Sequence, residues 1–197
     1  MSQTWSILIP TLKSRATMLS ILMDELMNQI LASKAEQDIE IITMSDNKEK
    51  SVGYKRNQLK DYVRTRFLSY IDDDDWVSPD YISSIYDAIN MNPDIDVIVF
   101  DVHARIVTPY HPNGRLCKYG IEYKRDHEDR DFYYRLPNHL MVWQKNVANM
   151  ARFPEVNFGE DAHWAKALSH HIKTQHRIEK TLYTYRFDPL KTETQRR

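Results

Sequence analysis

Hydrophobic and polar positions along this chain fall into alternating strand-like and helix-like stretches. Residues 5–9 form a short, β-rich run ended by Pro10 and predict a buried first strand. Residues 18–32 place Leu19, Leu22, Leu26 and Ile30 near helical spacing, which predicts an amphipathic helix. A second strand follows at 38–44 and stops at the turn-forming Ser45, Asp46 and Asn47. Residues 55–66 predict a helix, and 67–71 a third strand that runs straight into Asp72, Asp73, Asp74 and Asp75. Ser78 and Pro79 predict a helix start, with serine as N-cap and proline at the first helical position. That helix extends to about Met91, where Asn92 and Pro93 break it, and residues 95–102 are a fourth strand.

Strands alternating with helices indicate an α/β fold with a mostly parallel, Rossmann-like sheet flanked by helices, in a single compact domain. Functional loops of such folds gather at the carboxyl ends of the strands. Pro10 and Thr11, Asp46 and the aspartates all follow strands, so the fold can bring them to one cleft. The second half is less regular. Residues 105–136 are polar and read as loops and short strands, 138–143 as a strand, 160–171 as a helix and 181–187 as a last strand. We expect one domain over 1–190, with 191–197 a flexible tail.

Composition narrows the function only by exclusion. The 197 residues carry a formal net charge of -1, so no global charge draws the protein to nucleic acid or an anionic membrane. Cys117 is the single cysteine, which excludes an intrachain disulfide. The N-terminus lacks the pattern of a signal peptide. No apolar run approaches the roughly 20 residues that span a bilayer. The expectation is a soluble, cytoplasmic protein, with peripheral membrane contact left open.

Four adjacent carboxylates repel one another, and burial beside a strand raises their pKa values unless a cation compensates. Oxygen ligands of this kind suit Mg²⁺ or Mn²⁺. On extended backbone, Asp72 and Asp74 point one way while Asp73 and Asp75 face elsewhere. A solvated turn capping the next helix explains the same residues less well, given the buried strand before them. Gly53 to Asn57 places Lys55 and Arg56 at a helix start, where they can meet a phosphate or an acidic side chain. Gly159, Glu160 and Asp161 open the late helix; the acids there are either dipole-favoured caps or a general base in a cleft. Trp164 either packs or forms a sugar platform. No GxxxxGK[ST] loop and no GxGxxG after the first strand are present, which counts against P-loop and dinucleotide chemistry.

Together these segments resemble the family 2 type of GT-A glycosyltransferases. Ser6-Ile7-Leu8-Ile9-Pro10-Thr11 is similar to the family's first strand and its Pro-Thr exit. Asp46 falls where the family carries an aspartate for base or ribose. Gly53-Tyr54-Lys55-Arg56-Asn57 resembles its Gly-x-x-x-Arg-Asn-like segment, with Lys55 where a small residue is common. The strongest match is residues 67–79, which resemble the Asp-x-Asp metal motif followed by Asp-x-x-x-Pro. Gly159-Glu160-Asp161 resembles the late Glu-Asp pair, and residues 183–186 a closing Tyr-x-Tyr-Arg segment.

The resemblance implies a nucleoside diphosphate sugar as donor, UDP-linked by preference, and a hydroxyl-bearing acceptor such as a glycan or lipid-linked sugar. It implies a nucleotide-sugar half over 1–102 and an acceptor-side, catalytic half over 103–190. Pro10, Thr11, Asp46, Arg56, Asp72 and Asp73 would contact the donor. Asp74, with Asp72, would hold Mn²⁺ or Mg²⁺. Asp161 would be the general base, supported by Glu160, with inversion at the anomeric carbon. Tyr110, Tyr119, Tyr133, Tyr134, Trp143 and Trp164 are candidate stacking residues. Arg105, Arg115, Lys118, Lys124 and Arg125 offer charge to an anionic acceptor, a nucleic acid included. Competing readings are a metal-dependent nucleotidyltransferase and a non-catalytic protein that binds nucleotide sugar or carbohydrate.

Overall fold

A computed structural model describes residues 3–106 and 113–186. Its ten-stranded sheet has the order β2-β1-β3-β9-β5-β6-β8-β7, with β10 beside β5 and β4 paired to β10. The strands are β1 (Trp5–Leu12), β2 (Ile39–Asp46), β3 (Phe67–Tyr70), β4 (Trp76–Val77), β5 (Val97–Arg105), β6 (Arg115–Tyr119), β7 (His127–Glu128), β8 (Phe132–Arg135), β9 (Val142–Gln144) and β10 (Gln175–Arg186). The helices are α1 (Ala16–Ala32), α2 (Val52–Tyr62), α3 (Tyr81–Met91), the short α4 (Lys145–Ala148) and α5 (Glu160–Leu168).

The sheet is mixed rather than mostly parallel. β1 runs parallel to β2 and β3, and β5 parallel to β10. Between these blocks sits β9, antiparallel to both β3 and β5. Only three residues long, β9 carries too few positions to show its direction as a sequence pattern. All eight positions of β1 are buried, as expected of an inner strand.

Crossovers set the layers. The chain leaves β1 for β2 on one side and returns past β1 to β3, so right-handed connections place α1 and α2 on opposite faces. In keeping with this, α1 packs with α3, and α2 with α5. The stripe expected on α1 is real: Leu22, Leu26 and Ile30 are buried, and Leu19 packs against the same core.

Several boundaries depart from the sequence expectation: α2 spans Val52–Tyr62 rather than 55–66, β9 begins at Val142 rather than 138, and α5 ends at Leu168 rather than 171. β1 continues through Pro10 and Thr11 to Leu12. Its pairing with β3 ends at Leu8, so beyond that point one side of β1 is free of a ladder and a residue without an N–H is tolerated. α3 begins at Tyr81, and the Ser78 hydroxyl bonds Asp80 instead of capping it. A start at Tyr81 is supported from another helix, because the backbone N–H of Ile82 donates to the Gln29 side chain of α1 at 3.0 Å. The last strand starts at Gln175, well before residue 181. Residues 191–197, read as a tail, and Tyr110 lie outside the described residues. Among the described residues no helix is long and apolar enough to cross a membrane.

Candidate active site

The aspartates follow β3 in a tight turn closed by the Asp75 N–H donating to the Asp72 carbonyl at 3.1 Å. A turn, unlike extended backbone, does not alternate its side chains. Asp72, Asp73 and Asp74 all line one cavity, and Asp75 is buried away from it. Asp73 accepts from the Thr11 hydroxyl and from Arg15, each at 2.6 Å, and the same guanidinium lies 3.2 Å from Asp74. Arg15 thus couples Asp73 with Asp74, a pairing that alternation does not predict. Asp75 accepts from the Tyr183 hydroxyl at 2.8 Å and the Arg186 N–H at 2.7 Å. These bonds tie the turn to the end of β10 and give the Tyr-x-Tyr-Arg segment a structural task.

Arg56 is almost fully buried on α2 and reaches two acids from different parts of the chain. It donates to Asp72 at 2.7 Å and forms a close ion pair with Glu160, the first residue of α5. Burial pushes the Asp72 carboxyl up, but Arg56 and then His139 outweigh it and hold the group well below the usual carboxylate range. Glu160 shifts the other way: its burial exceeds the pull of Arg56, and Asp161 adds repulsion. One guanidinium therefore stabilises two carboxylates unequally, because Asp72 has a second partner and Glu160 has a charged neighbour.

His139 is that second partner, and the sequence reading passed over it. Its Nε2 lies 3.3 Å from Asp72, and its Nδ1, buried without a hydrogen bond, is 3.7 Å from Asp161 Oδ2. The histidine is held by its own segment: the Tyr70 N–H donates to the His139 carbonyl, and Asn138 caps the following turn through the Leu140 N–H. The sequence signal was weak, a Pro137-Asn138-His139 turn before an apolar run. Glu160, Arg56, Asp72, His139 and Asp161 form one connected series across the cavity floor. Asp161 ends it at the open side, its side chain 35% exposed. Gly159 makes this placement possible. It adopts φ 76° at the N-cap of α5, a left-handed conformation that costs other residues energy.

The cavity measures about 910 Å³, in the range of a nucleotide-sized ligand. Pro10, Thr11, Arg56, Asp72, Asp73, Asp74, Glu160 and Asp161 all line it. Asp46 does not. Its carboxylate accepts from Lys55 Nζ at 2.9 Å and from the Lys50 N–H at 2.7 Å, and Lys55 in turn donates to the Thr11 carbonyl. Asp46 therefore shapes the wall from behind. Trp143 and Trp164 are fully buried in the core, with Trp164 stacked on Phe153 at 4.6 Å, so neither is a sugar platform. Tyr119 and Tyr133 do reach the cavity, as do Lys124 and Arg125. Arg115 instead pairs with Glu128 and stacks on Tyr133.

Among the described residues no group of three or more His, Cys, Asp or Glu is arranged to hold a metal by itself. The chemistry of Asp74 nevertheless fits a cation. Burial, then repulsion from Asp72, pushes its carboxyl up to about 6 despite Arg15. A carboxylate short of positive charge at a cavity wall suits an ion whose remaining ligands come from a phosphate-bearing substrate and water.

Comparison with known proteins completes the picture. The family model for glycosyl transferase family 2 matches residues 28–151. No curated protein matches the chain. Among solved structures, residues 1–349 of S. aureus TarS superimpose with a TM-score of 0.62 at 13% identity, over 92% of this chain and 60% of that one. The same fragment in complex with UDP gives 0.62 at 14% identity, over 95% and 61%. Its complex with UDP-GlcNAc gives 0.61 at 13%, over 94% and 60%. The chain therefore spans about three fifths of the TarS fragments it matches, and at this identity the likeness shows a shared GT-A-like α/β fold with a mixed sheet. The matched family segment contains α2, the aspartate turn and His139, and on that match the chain belongs to glycosyl transferase family 2.

Proposed function

We propose that this protein transfers a sugar from a nucleoside diphosphate sugar, a UDP-sugar by preference, to an acceptor hydroxyl with inversion. The observation that carries the reading is the meeting of Asp161 and the aspartate turn on one cavity, coupled through His139 and Arg56. Donor residues come mainly from 1–102 and the base from 103–190. UDP and UDP-GlcNAc in the TarS complexes support the choice of donor.

In this reading Pro10 and Thr11 meet the nucleoside, and Asp46 acts indirectly by fixing Lys55 and the loop after β2. Asp74, with Asp72 behind it, would hold Mn²⁺ or Mg²⁺, which supplies charge neutralisation for a leaving diphosphate. Arg56 is engaged with Asp72 and Glu160, so we assign it and Glu160 to positioning. Asp161 takes the acceptor hydroxyl proton. The acceptor oxygen forms its bond to the anomeric carbon as the bond from that carbon to the phosphate oxygen breaks. The nucleoside diphosphate leaves with the electron pair. His139 orients Asp161 and keeps it in register with the donor side.

The test is a panel of UDP-, GDP- and TDP-sugars with Mn²⁺ or chelator, recording binding and free nucleoside diphosphate. We expect slow, metal-dependent release from a UDP-sugar, abolished by Asp74→Ala. Pyrophosphate release from a nucleoside triphosphate and a sugar phosphate would favour a nucleotidyltransferase. Folded protein that neither binds nor cleaves any donor would sink the donor assignment and move weight to the binding-protein and nucleotidyltransferase readings.

A further inference from the structure

The cavity has two chemically different ends. Around the aspartate turn three cations are paired, Arg15 with Asp73 and Asp74, Arg56 with Asp72 and Glu160, and Lys55 with Asp46, while Lys50, which also lines the cavity, lies over the Tyr54 ring at 4.8 Å. Beyond Asp161 the balance changes. Lys124 and Arg125, between β6 and β7, face the same cavity as Lys166 of α5 and His170 just after it. Among the described residues, Lys124, Arg125 and Lys166 make no ion pair with any carboxylate. Arg135 adds a fourth cation, 3.7 Å from Asp126 and over the Tyr133 ring at 4.9 Å. Among the lining residues away from the aspartate turn, these four cations stand with three carboxylates, Asp126, Glu160 and Asp161, of which Glu160 is already paired with Arg56.

The spacing relates this charge to the chemistry. Asp161, Ala162, Ala165, Lys166 and Ser169 all line the cavity, so one face of α5 and its end runs along it. Five helical steps separate Asp161 from Lys166, roughly 7.5 Å along the axis at 1.5 Å per residue. That is about the distance from one sugar hydroxyl to an anionic group on the same or the next unit of a chain. Unpaired cations on the wall of a concave site focus a positive field and favour an anionic ligand.

We propose that the acceptor is anionic: its hydroxyl sits at Asp161 while its phosphate or carboxylate lies against Lys124, Arg125 and Lys166. This rests on the glycosyl-transfer reading of the same cavity and names the class of its second substrate. The Lys and Arg side chains recognise charge, so a phosphate ester and a uronic acid share the required chemistry.

The experiment measures ligand-observed NMR binding to the full chain, saturated with UDP and Mn²⁺ so that the donor end is occupied. The probes are glycerol 3-phosphate and glucuronate, against neutral glycerol and glucose. We expect at least one anion to bind ten times or more tightly than its neutral counterpart, weakening as salt rises. The tighter of the two anions separates a phosphate from a carboxylate source. In the Lys124→Glu, Arg125→Glu, Lys166→Glu triple variant, shown to be folded by circular dichroism, anion binding should fall at least tenfold. Equal binding of neutral and anionic probes, or unchanged anion binding in the folded variant, overturns the inference. UDP binding to the wild-type protein without any anion binding overturns it alone. Failure of UDP, and of GDP and TDP in its place, to bind removes the transfer reading, and the acceptor assignment with it.

Discussion

Removing the Arg56 guanidinium while keeping its packing isolates the electrostatic link between the two halves of the site. In Arg56→Met the side chain still lies beside the Tyr70 and Phe153 rings, over which the guanidinium sits at 6.0 and 5.7 Å. What disappears is the guanidinium that pairs with both Asp72 and Glu160. Breaking a buried ion pair from one side costs about 3–5 kcal/mol, because the remaining charge is left uncompensated. At about 2–4 °C per kcal/mol for a chain of this length, Tm should fall by roughly 6–20 °C at pH 7.5. The loss depends on pH with a definite sign. In the wild type Asp72 is held low, so its stabilisation is present above the unfolded carboxylate pKa and fades as pH falls toward acid. In the variant, Asp72 and Glu160 become buried carboxylates with raised pKa values, and protonation relieves them as pH falls. The gap between the two proteins should therefore be largest at pH 7.5 and shrink at pH 5, read as the difference in urea midpoints. A loss below about 1 kcal/mol, or one as large at pH 5 as at pH 7.5, would refute the argument and assign the effect to packing.

Three further outcomes follow from the same geometry. Asp161→Asn should lower turnover about 10²–10⁴-fold with little change in Tm, since its partly exposed carboxylate holds no other element in place; an active variant would move the base elsewhere. Asp74 titrates near 6 in the folded protein, above its ordinary value, so stability it lends at low pH is lost as pH rises through about 6. With chelator present at pH 7.5, Asp74→Asn should then be more stable than wild type by about 1–3 kcal/mol, at about 1.4 kcal/mol per pKa unit, and Mn²⁺ should raise the Tm of the wild type alone. Gly53→Ala would bring a Cβ to 1.9 Å from the Pro154 carbonyl oxygen. A cost of about 1–3 kcal/mol is expected, measured by denaturation, and donor affinity should fall as the 154–159 loop is displaced.

The aspartate turn was legible because an apolar strand followed at once by acids is a local pattern, but that Asp73 joins Asp72 and Asp74 in the cavity was not, because a turn replaces the extended backbone on which it would face elsewhere. Glu160 and Asp161 were legible as a pair beside a glycine, but not their division of labour. Burial against Arg56 separates them, and burial is a property of packing. His139 was missed for the same reason: a single histidine is uninformative until β3 and the turn before β9 bring it between two carboxylates. Trp164 was open to packing or to a sugar platform, and burial in the core against Phe153 decides for packing.

By itself the sequence determined the alternation of the main strands and helices up to β5, the helical stripe of α1 and the loops that carry chemistry, because periodicity and turn residues act over a few positions. Tertiary structure alone decided the antiparallel β9 at the sheet centre, the cap that Gln29 gives α3, the pairing of Arg15 with two aspartates and the unmatched cations beyond Asp161. Each of these joins residues distant in the chain, and their energies depend on burial and on which charges share a wall, which no local pattern encodes.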